Sequence, residues 1–257
     1  MKIALCQFDQ VWEDREANKA KIKALVASTP KPFDWIVFPE MTLSGFSMSL
    51  DKTTLTKDDS AFFSALARDR NAWVSFGGVQ NGRNDLITLD RAGKLVDTYS
   101  KIHLYSFGEE NKFYKAGTKV SKFDLEGLRV VPTICFDLRF PYLFWDAAEQ
   151  ADVFINIASW PARRSEHYTT LVRARAIENQ CYALGVDRTG KDPLLEYSGN
   201  SMLFDPLGKV LLDCGTQDGV FVSDIDVTRD LVTKTRTRFP FFRDKKAPGA
   251  YECLKKN

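Results

Sequence analysis

The chain carries only two histidines in 257 residues, and its five cysteines include no CxxC pair. With His103 and His167 alone, a histidine-rich metal site is excluded, and a Ser-His or Cys-His hydrolase would have to use one of the two. The cysteines, at 6, 135, 181, 214 and 253, are odd in number and far apart, which argues against a disulfide framework or a zinc knuckle. They read as reduced thiols. Long apolar runs are also missing: none exceeds four residues, and MKIALCQFDQ passes directly into polar sequence, so neither a membrane span nor a secretory signal is expected. Charge of one sign is lacking too. Thirty-six Lys and Arg against 34 Asp and Glu leave +2, no footprint for nucleic acid or an anionic membrane. A soluble, cytoplasmic protein is expected, with neither as partner. Against these absences, 44% hydrophobic residues suffice for a sizeable core and exclude disorder as the main state.

Strand-like and helix-like segments alternate from the first residue, the pattern of an α/β protein. Residues 3–8 read as a buried strand, 14–28 as a helix capped by Asp14 and stopped by Pro30, and 34–38 (DWIVF) as a second buried strand. A helix starting near Asp59 or Ser60, the strand AWVSFGGV, LITLD, a turn at Ala92-Gly93 and KLVDTY follow. The second half repeats the order, with LRVVPTICF, PYLFWDAAEQ, ADVFINIAS, SEHYTTLVRARAIENQ, CYALGV and a hairpin NSMLFDPLGKVLLD. DWIVF matches DVFIN, and Ala92-Gly93-Lys94 matches Leu207-Gly208-Lys209, about 115 to 118 positions apart. Two related β-α-β-β halves in one domain over 1–257 are expected, as two sheets packed face to face under outer helices. A single doubly wound sheet is the alternative. Residues 236–257 read as a C-terminal tail whose Phe239, Phe241, Phe242 and Tyr251 need a surface to cover, in their own domain or a second subunit.

Functional groups in α/β folds collect at the carboxyl ends of strands. Glu40 follows DWIVFP, Lys101 follows KLVDTYS and Cys135 follows RVVPTI. Singly, each has an ordinary reading as loop carboxylate, surface cation or inert core thiol. Together they supply base, cation and nucleophile without a histidine. A free thiol with a pKa near 8.5 is only about 3% thiolate at neutral pH, so a nucleophilic cysteine needs help. An ammonium about 4 Å away favours the thiolate by up to ~4 kcal/mol at an effective dielectric near 20, or ~3 pKa units.

The blocks FPEMTLSGF (38–46), SKIHLYSFGEENKFYKAG (100–117) and TICFDLRFP (133–141) resemble the three signature regions of the nitrilase, or carbon-nitrogen hydrolase, superfamily. SWPARRSEHY, RARAIENQCYALGVDRTG and SGNSMLFDPLGKVL extend the resemblance over nearly the whole chain. It implies a four-layer α-β-β-α sandwich of two mixed sheets with a pseudo-twofold repeat. It also implies a catalytic Glu, Lys and Cys at Glu40, Lys101 and Cys135, and a second site glutamate at Glu110, with Glu109 as the competing choice. The implied chemistry is amide hydrolysis through a thioester, the oxyanion held by Lys101 and the backbone N–H of Phe136, with no metal or organic cofactor. The resemblance further favours a homodimer or larger assembly.

Within the superfamily the sequence most resembles omega-amidases acting on 2-oxoglutaramate, through ICFDLRFP, SWPARRSEHY and RARAIENQ. An omega-amide of a 2-oxo dicarboxylic acid (2-oxoglutaramate, 2-oxosuccinamate) keeps a carboxylate at its far end, which calls for an arginine. Arg164 is the candidate, with Trp160 as an apolar wall. Arg139, four residues after the candidate nucleophile, is a second candidate for touching the carboxylate but reads more as a structural ion pair, His103 as a hydrogen-bonded structural histidine and His167 as helix-face packing. Asp187, where many relatives carry Asn, reads as a carboxylate near the site rim. The competing readings are the same chemistry on an N-carbamoyl compound, a deaminated glutathione or a nitrile; a non-catalytic binding module; and a thiol redox protein pairing Cys135 with Cys181.

Overall fold

The computed structural model describes residues 1–246. Its first half runs β1 (Ile3–Gln7), α1 (Arg15–Ala27), β2 (Trp35–Val37), α2 (Leu50–Thr53), α3 (Lys57–Arg70), β3 (Trp73–Gln80), β4 (Arg83–Leu89) and β5 (Leu95–Ser100). A short helix, α4 (Glu110–Phe113), leads into β6 (Phe123–Leu125), β7 (Leu128–Ile134), α5 (Pro141–Ala147), β8 (Val153–Ala158), α6 (Ser165–Asn179) and β9 (Tyr182–Asp187). The ribbon β10 (Thr189–Lys191) and β11 (Glu196–Ser198), the hairpin β12 (Met202–Phe204) and β13 (Val210–Asp213), then β14 (Gly219–Val222) and α7 (Arg229–Arg238) complete the described chain.

Two six-stranded mixed sheets result, ordered β14-β1-β2-β3-β4-β5 and β13-β12-β9-β8-β7-β6. In each, three adjacent strands are parallel and the flanking ones antiparallel. The single-sheet alternative is therefore excluded. Alternation along the strands decides the layers. Ile3, Leu5, Trp35, Val37, Val153, Ile155 and Ile157 point into a common core between the sheets. Ala4, Phe8, Ile36 and Phe38 point outward to α1 and α3, with Ile22, Val26, Phe63 and Leu66. Phe154 and Ala183 point outward to α5 and α6, with Phe144, Tyr168 and Val172. This is the α-β-β-α sandwich, and among the described residues no helix is long and apolar enough to cross a membrane.

The internal repeat holds at atomic detail. Asp90 Oδ1 accepts from the backbone N–H groups of Ala92 and Lys94, and Asp205 Oδ1 accepts from those of Leu207 and Lys209. Asp34 and Asp152 each take a backbone N–H at the start of the neighbouring strand, from Lys2 just ahead of β1 at 2.8 Å and from Arg129 of β7 at 2.9 Å. α3 and α6 both end on a left-handed residue, Asn71 and Gln180.

Two local expectations shift. α1 starts after Asp14, whose side chain accepts from Ala17, as its sequence implies. α3 begins earlier than Asp59, because Thr56 is the cap and Asp59 the third residue of a reciprocal capping box. α7 extends through Arg238, three residues into the stretch expected as a tail. Beyond it, Phe241 and Phe242 pack on Trp145 of α5, so this part covers its own chain. Phe239 is exposed, and Tyr251 and Cys253 lie outside the described residues.

Replacing Thr56 by Ala removes one half of the capping box. The expected loss is about 1 kcal/mol, which lowers the melting temperature by about 2–4 °C for a chain of this size; calorimetry of the variant measures it, and an unchanged transition would contradict the capping role.

Candidate active site

Glu40, Lys101, Glu110 and Cys135 arrive from four separate segments at the carboxyl-terminal ends of the two sheets. Glu40 lies three residues past β2, Lys101 directly follows β5, Cys135 directly follows β7, and Glu110 opens α4. The side chains of Glu40, Lys101 and Glu110 are all 0% exposed. Lys101 Nζ donates to Glu40 Oε1 at 2.8 Å and lies 2.9 Å from Glu110 Oε2. Asn84 Nδ2, on β4, donates to both carboxylates, at 2.7 Å to Glu40 and 2.9 Å to Glu110. Two backbone amides complete the set: Ser159 N–H donates to Glu40 Oε2 at 2.9 Å, and Tyr105 N–H to Glu110 Oε2 at 2.6 Å. Glu109 instead points to solvent and pairs with Lys112 at 2.6 Å, so Glu110 is the glutamate in the cluster.

The backbone makes room for this. A Cβ at Gly77 of β3 would sit 2.5 Å from Met41 N and 2.8 Å from Glu40 Cα, so only glycine lets β3 run against the Glu40 backbone. Gly117, whose N–H donates to the Lys101 carbonyl, could not carry a Cβ either, since Ser100 O is 2.1 Å from that position. Cys135 itself has φ 45°, a left-handed conformation unusual for a residue other than glycine, and opens a 3-10 turn over Cys135–Arg139. Asp137 holds that turn. Its carboxylate accepts from Ile134 N–H, Tyr99 Oη, His103 N–H and the His103 imidazole at 2.7–3.1 Å. His103 is thus a structural histidine, stacked on Phe140 with ring centroids 3.7 Å apart.

The electrostatics differ from the expectation for an isolated cysteine–lysine pair. Burial opposes the charge on Lys101, and the carboxylates of Glu110 and Glu40 outweigh it, so its pKa lies well above the usual lysine value. Burial pushes the Cys135 thiol well up and Glu40 adds to this; Lys101 and the Ser159 N–H only partly oppose them. Two carboxyl groups already share the charge of the lysine, so it offsets only part of the upward shift, and the balance runs towards the protonated thiol.

Cys135 faces a cavity of about 300 Å³. Phe46, Tyr105, Phe107, Phe136, Trp160 and Tyr197 wall it, with Arg139 and Arg164 as its cations. Trp160 is held from both sides: its N–H is bound by Asp187 at 2.8 Å, and its indole Nε1 donates to the Arg164 carbonyl at 2.8 Å. Asp187 is buried at the end of β9 beneath Trp160, which corrects its placement at the rim. Arg139 forms no ion pair among the described residues, contrary to the structural role expected for it. Its guanidinium lies 4.6 Å over the Trp160 ring. His167 is exposed on α6, not packed, with Nδ1 3.4 Å from Arg139. Cys181 is buried among the outer core residues, and Cys6, Cys135, Cys181 and Cys214 are all free thiols.

Asn84 and Asp137 were not singled out in the sequence. Asn84 sits inside a strand, and nothing local separates it from the turn residues Asn81 and Gly82 beside it. Asp137 had a signal, a carboxylate two residues past the candidate nucleophile.

Burial pushes the Asp187 carboxyl well up, although it accepts N–H bonds from Trp160 and Arg188. A carboxyl group kept neutral by the fold costs stability once the pH exceeds its unfolded value of about 3.9, and the cost grows up to the folded value. Asp187→Asn keeps the accepting oxygen without the titration. The variant is expected to melt higher than the parent at pH 8, with the gap closing as the pH falls towards 4; a gap independent of pH, measured by calorimetry, would contradict this.

The carbon-nitrogen hydrolase family profile matches residues 2–237. Over 251 residues the chain is 29% identical to a 2-oxoglutaramate amidase of Bacillus subtilis (strain 168), covering 94% of this chain and 96% of that one. It is 33% identical over 252 residues to omega-amidase YafV of Escherichia coli (strain K12), covering 95% and 96%. Among solved structures, XC1258 of Xanthomonas campestris, a CN-hydrolase superfamily protein with an arsenic adduct in its active site, superposes with a TM-score of 0.88 at 30% identity, covering 96% of this chain and 97% of that one. The chain therefore belongs to the carbon-nitrogen hydrolase family of the nitrilase superfamily and is a hydrolase of carbon–nitrogen bonds in linear amides.

Proposed function

We propose that the protein is a cysteine-dependent omega-amidase, hydrolysing the amide of 2-oxo dicarboxylic acid monoamides, such as 2-oxoglutaramate, to the acid and ammonia. The observation that carries the reading is the buried Glu40–Lys101–Glu110 cluster beside Cys135, opening on a cavity that holds Arg164. Its relatives named 2-oxoglutaramate amidase and omega-amidase support the substrate.

Glu40 takes the thiol proton as the sulfur attacks the amide carbon. The Lys101 ammonium and the Phe136 N–H stabilise the tetrahedral oxyanion, a charge the site is built to receive because Lys101 stays protonated. Collapse of the intermediate breaks the carbon–nitrogen bond, Glu40 returns the proton to the nitrogen, and ammonia leaves a thioester on Cys135. Water, deprotonated by Glu40, attacks that thioester, and the thiol is regenerated with release of the carboxylic acid. Glu110 and Asn84 hold Lys101 and Glu40 in register throughout. Trp160 lines the acyl chain and Arg164 takes the distal carboxylate.

Ammonia release from a panel of amides tests the reading. 2-Oxoglutaramate is expected to be the best substrate, with kcat reduced about 10⁴-fold or more in Cys135→Ala and about 10²- to 10⁴-fold in Glu40→Gln. Full activity of Cys135→Ala would refute the nucleophile, and higher kcat/KM on an N-carbamoyl compound would refute the substrate.

A further inference from the structure

Buried polar atoms in folded proteins normally find a partner, so a buried hydroxyl that finds none calls for an explanation. Among the described residues, Ser159 Oγ is buried without a hydrogen-bond partner. Every other buried side chain with an unpaired atom is an amide, carboxylate or guanidinium that is bonded through another of its atoms, as Gln10, Asn84 and Arg188 are. The Ser159 side chain has no such second bond. It belongs to a residue 6% exposed that lines the cavity beside Cys135.

The chain puts this hydroxyl at the reaction centre. Ser159 directly follows β8, the parallel neighbour of β7, and Cys135 directly follows β7. The backbone N–H of Ser159 donates to Glu40 Oε2 at 2.9 Å and also acts on the Cys135 sulfur. Which oxygen of Glu40 handles the proton follows from its bonds. Oε1 accepts from Lys101 Nζ at 2.8 Å and Asn84 Nδ2 at 2.7 Å, which occupies both its lone pairs. Oε2 accepts only from Ser159 N–H among the described residues and keeps a lone pair for the proton. With the amide oxygen directed to Lys101 and the Phe136 N–H, the amide nitrogen has to approach Oε2 to be protonated. That brings it beside Ser159.

We propose that the Ser159 hydroxyl binds the leaving group, Oγ accepting an N–H of the substrate amide while Glu40 Oε2 delivers the proton to the same nitrogen. The inference rests on the amidase reading above and extends it to the nitrogen end of the substrate. The bond fixes the nitrogen with its lone pair towards Oε2, so that the carbon–nitrogen bond breaks as the new N–H bond forms. In the second half of the reaction water takes the place of the nitrogen, gives one proton to Glu40 and donates its other O–H to Ser159 Oγ. The site thereby distinguishes an amide from an ester of the same acid, whose leaving oxygen carries no hydrogen to donate. The unpaired hydroxyl of the free enzyme is a loss of stability retained for function.

The test compares 2-oxoglutaramate with the methyl ester at the same carboxyl carbon, in the parent enzyme and in Ser159→Ala. Because kcat/KM covers only the steps through thioester formation, the comparison isolates the leaving group. In Ser159→Ala the ratio of kcat/KM for the amide over the ester is expected to fall about 10-fold. The variant is expected to melt at or above the parent, since it removes a hydroxyl without a partner. An unchanged ratio, with both substrates slowed alike or neither slowed, would overturn the proposal, and a lower melting temperature beside it would mark the hydroxyl as part of the fold. If the parent enzyme prefers another amide and the ratio of that amide over its own ester falls in Ser159→Ala, the leaving-group contact stands while the choice of 2-oxoglutaramate falls. If the parent enzyme prefers 2-oxoglutaramate and the ratio holds, the contact alone falls. A parent enzyme that releases ammonia from no amide overturns both.

Discussion

Everything at this site depends on one buried ammonium held between two buried carboxylates. Lys101 sits at hydrogen-bonding distance from Glu40 and Glu110 with no exposure on any of the three side chains. Such a cluster tolerates little error, because removing one member leaves uncompensated charge in the interior at a cost of several kcal/mol. It forces the ends of β2 and β5 and the start of α4 to meet, with Asn84 of β4 bridging the carboxylates. It also sets the state of the thiol. With its charge shared by two carboxylates, Lys101 is a poor generator of thiolate and a good receptor for a negative oxygen formed during reaction.

The sandwich supplies the frame on which that cluster is stretched. Glu40 and Lys101 leave the first sheet, Cys135 and Ser159 leave the second, and the Ser159 N–H bond to Glu40 ties the two sheets together at the reaction centre. The repeated Asp90 and Asp205 turns and the paired Asp34 and Asp152 contacts show the same backbone solution used twice. The site itself is not repeated. Each half contributes different chemistry from equivalent strand ends, base and cation from one and nucleophile from the other.

Much of the frame was legible along the chain. Fully apolar runs such as DWIVF and DVFIN announce strands buried on both faces, and Asp14, Pro30 and the Asp-x-x-Gly turns mark where elements start and stop. Less legible were β6, the β10–β11 ribbon and β14, which are three or four residues long and carry too little pattern to register. Thr56 as the cap of α3 was also hidden, since four acceptable capping residues (Thr56, Asp58, Asp59 and Ser60) lie within five positions and only the reciprocal bond with Asp59 chooses between them.

The order and type of Glu40, Lys101 and Cys135 were determined by the sequence alone, as was the scarcity of histidine that made a glutamate–lysine–cysteine site the sensible reading. Folding decided what spacing along the chain cannot. Glu110 and not Glu109 faces Lys101, because the left-handed turn at Glu109 directs adjacent side chains to opposite environments. Among the described residues Arg139 has no ion pair and lies on Trp160, although its own segment suggested a structural partner. Asp187 is buried under that tryptophan instead of lining a rim. Each outcome turns on which residues distant in sequence become neighbours, and pairing and burial are properties of the assembled interior.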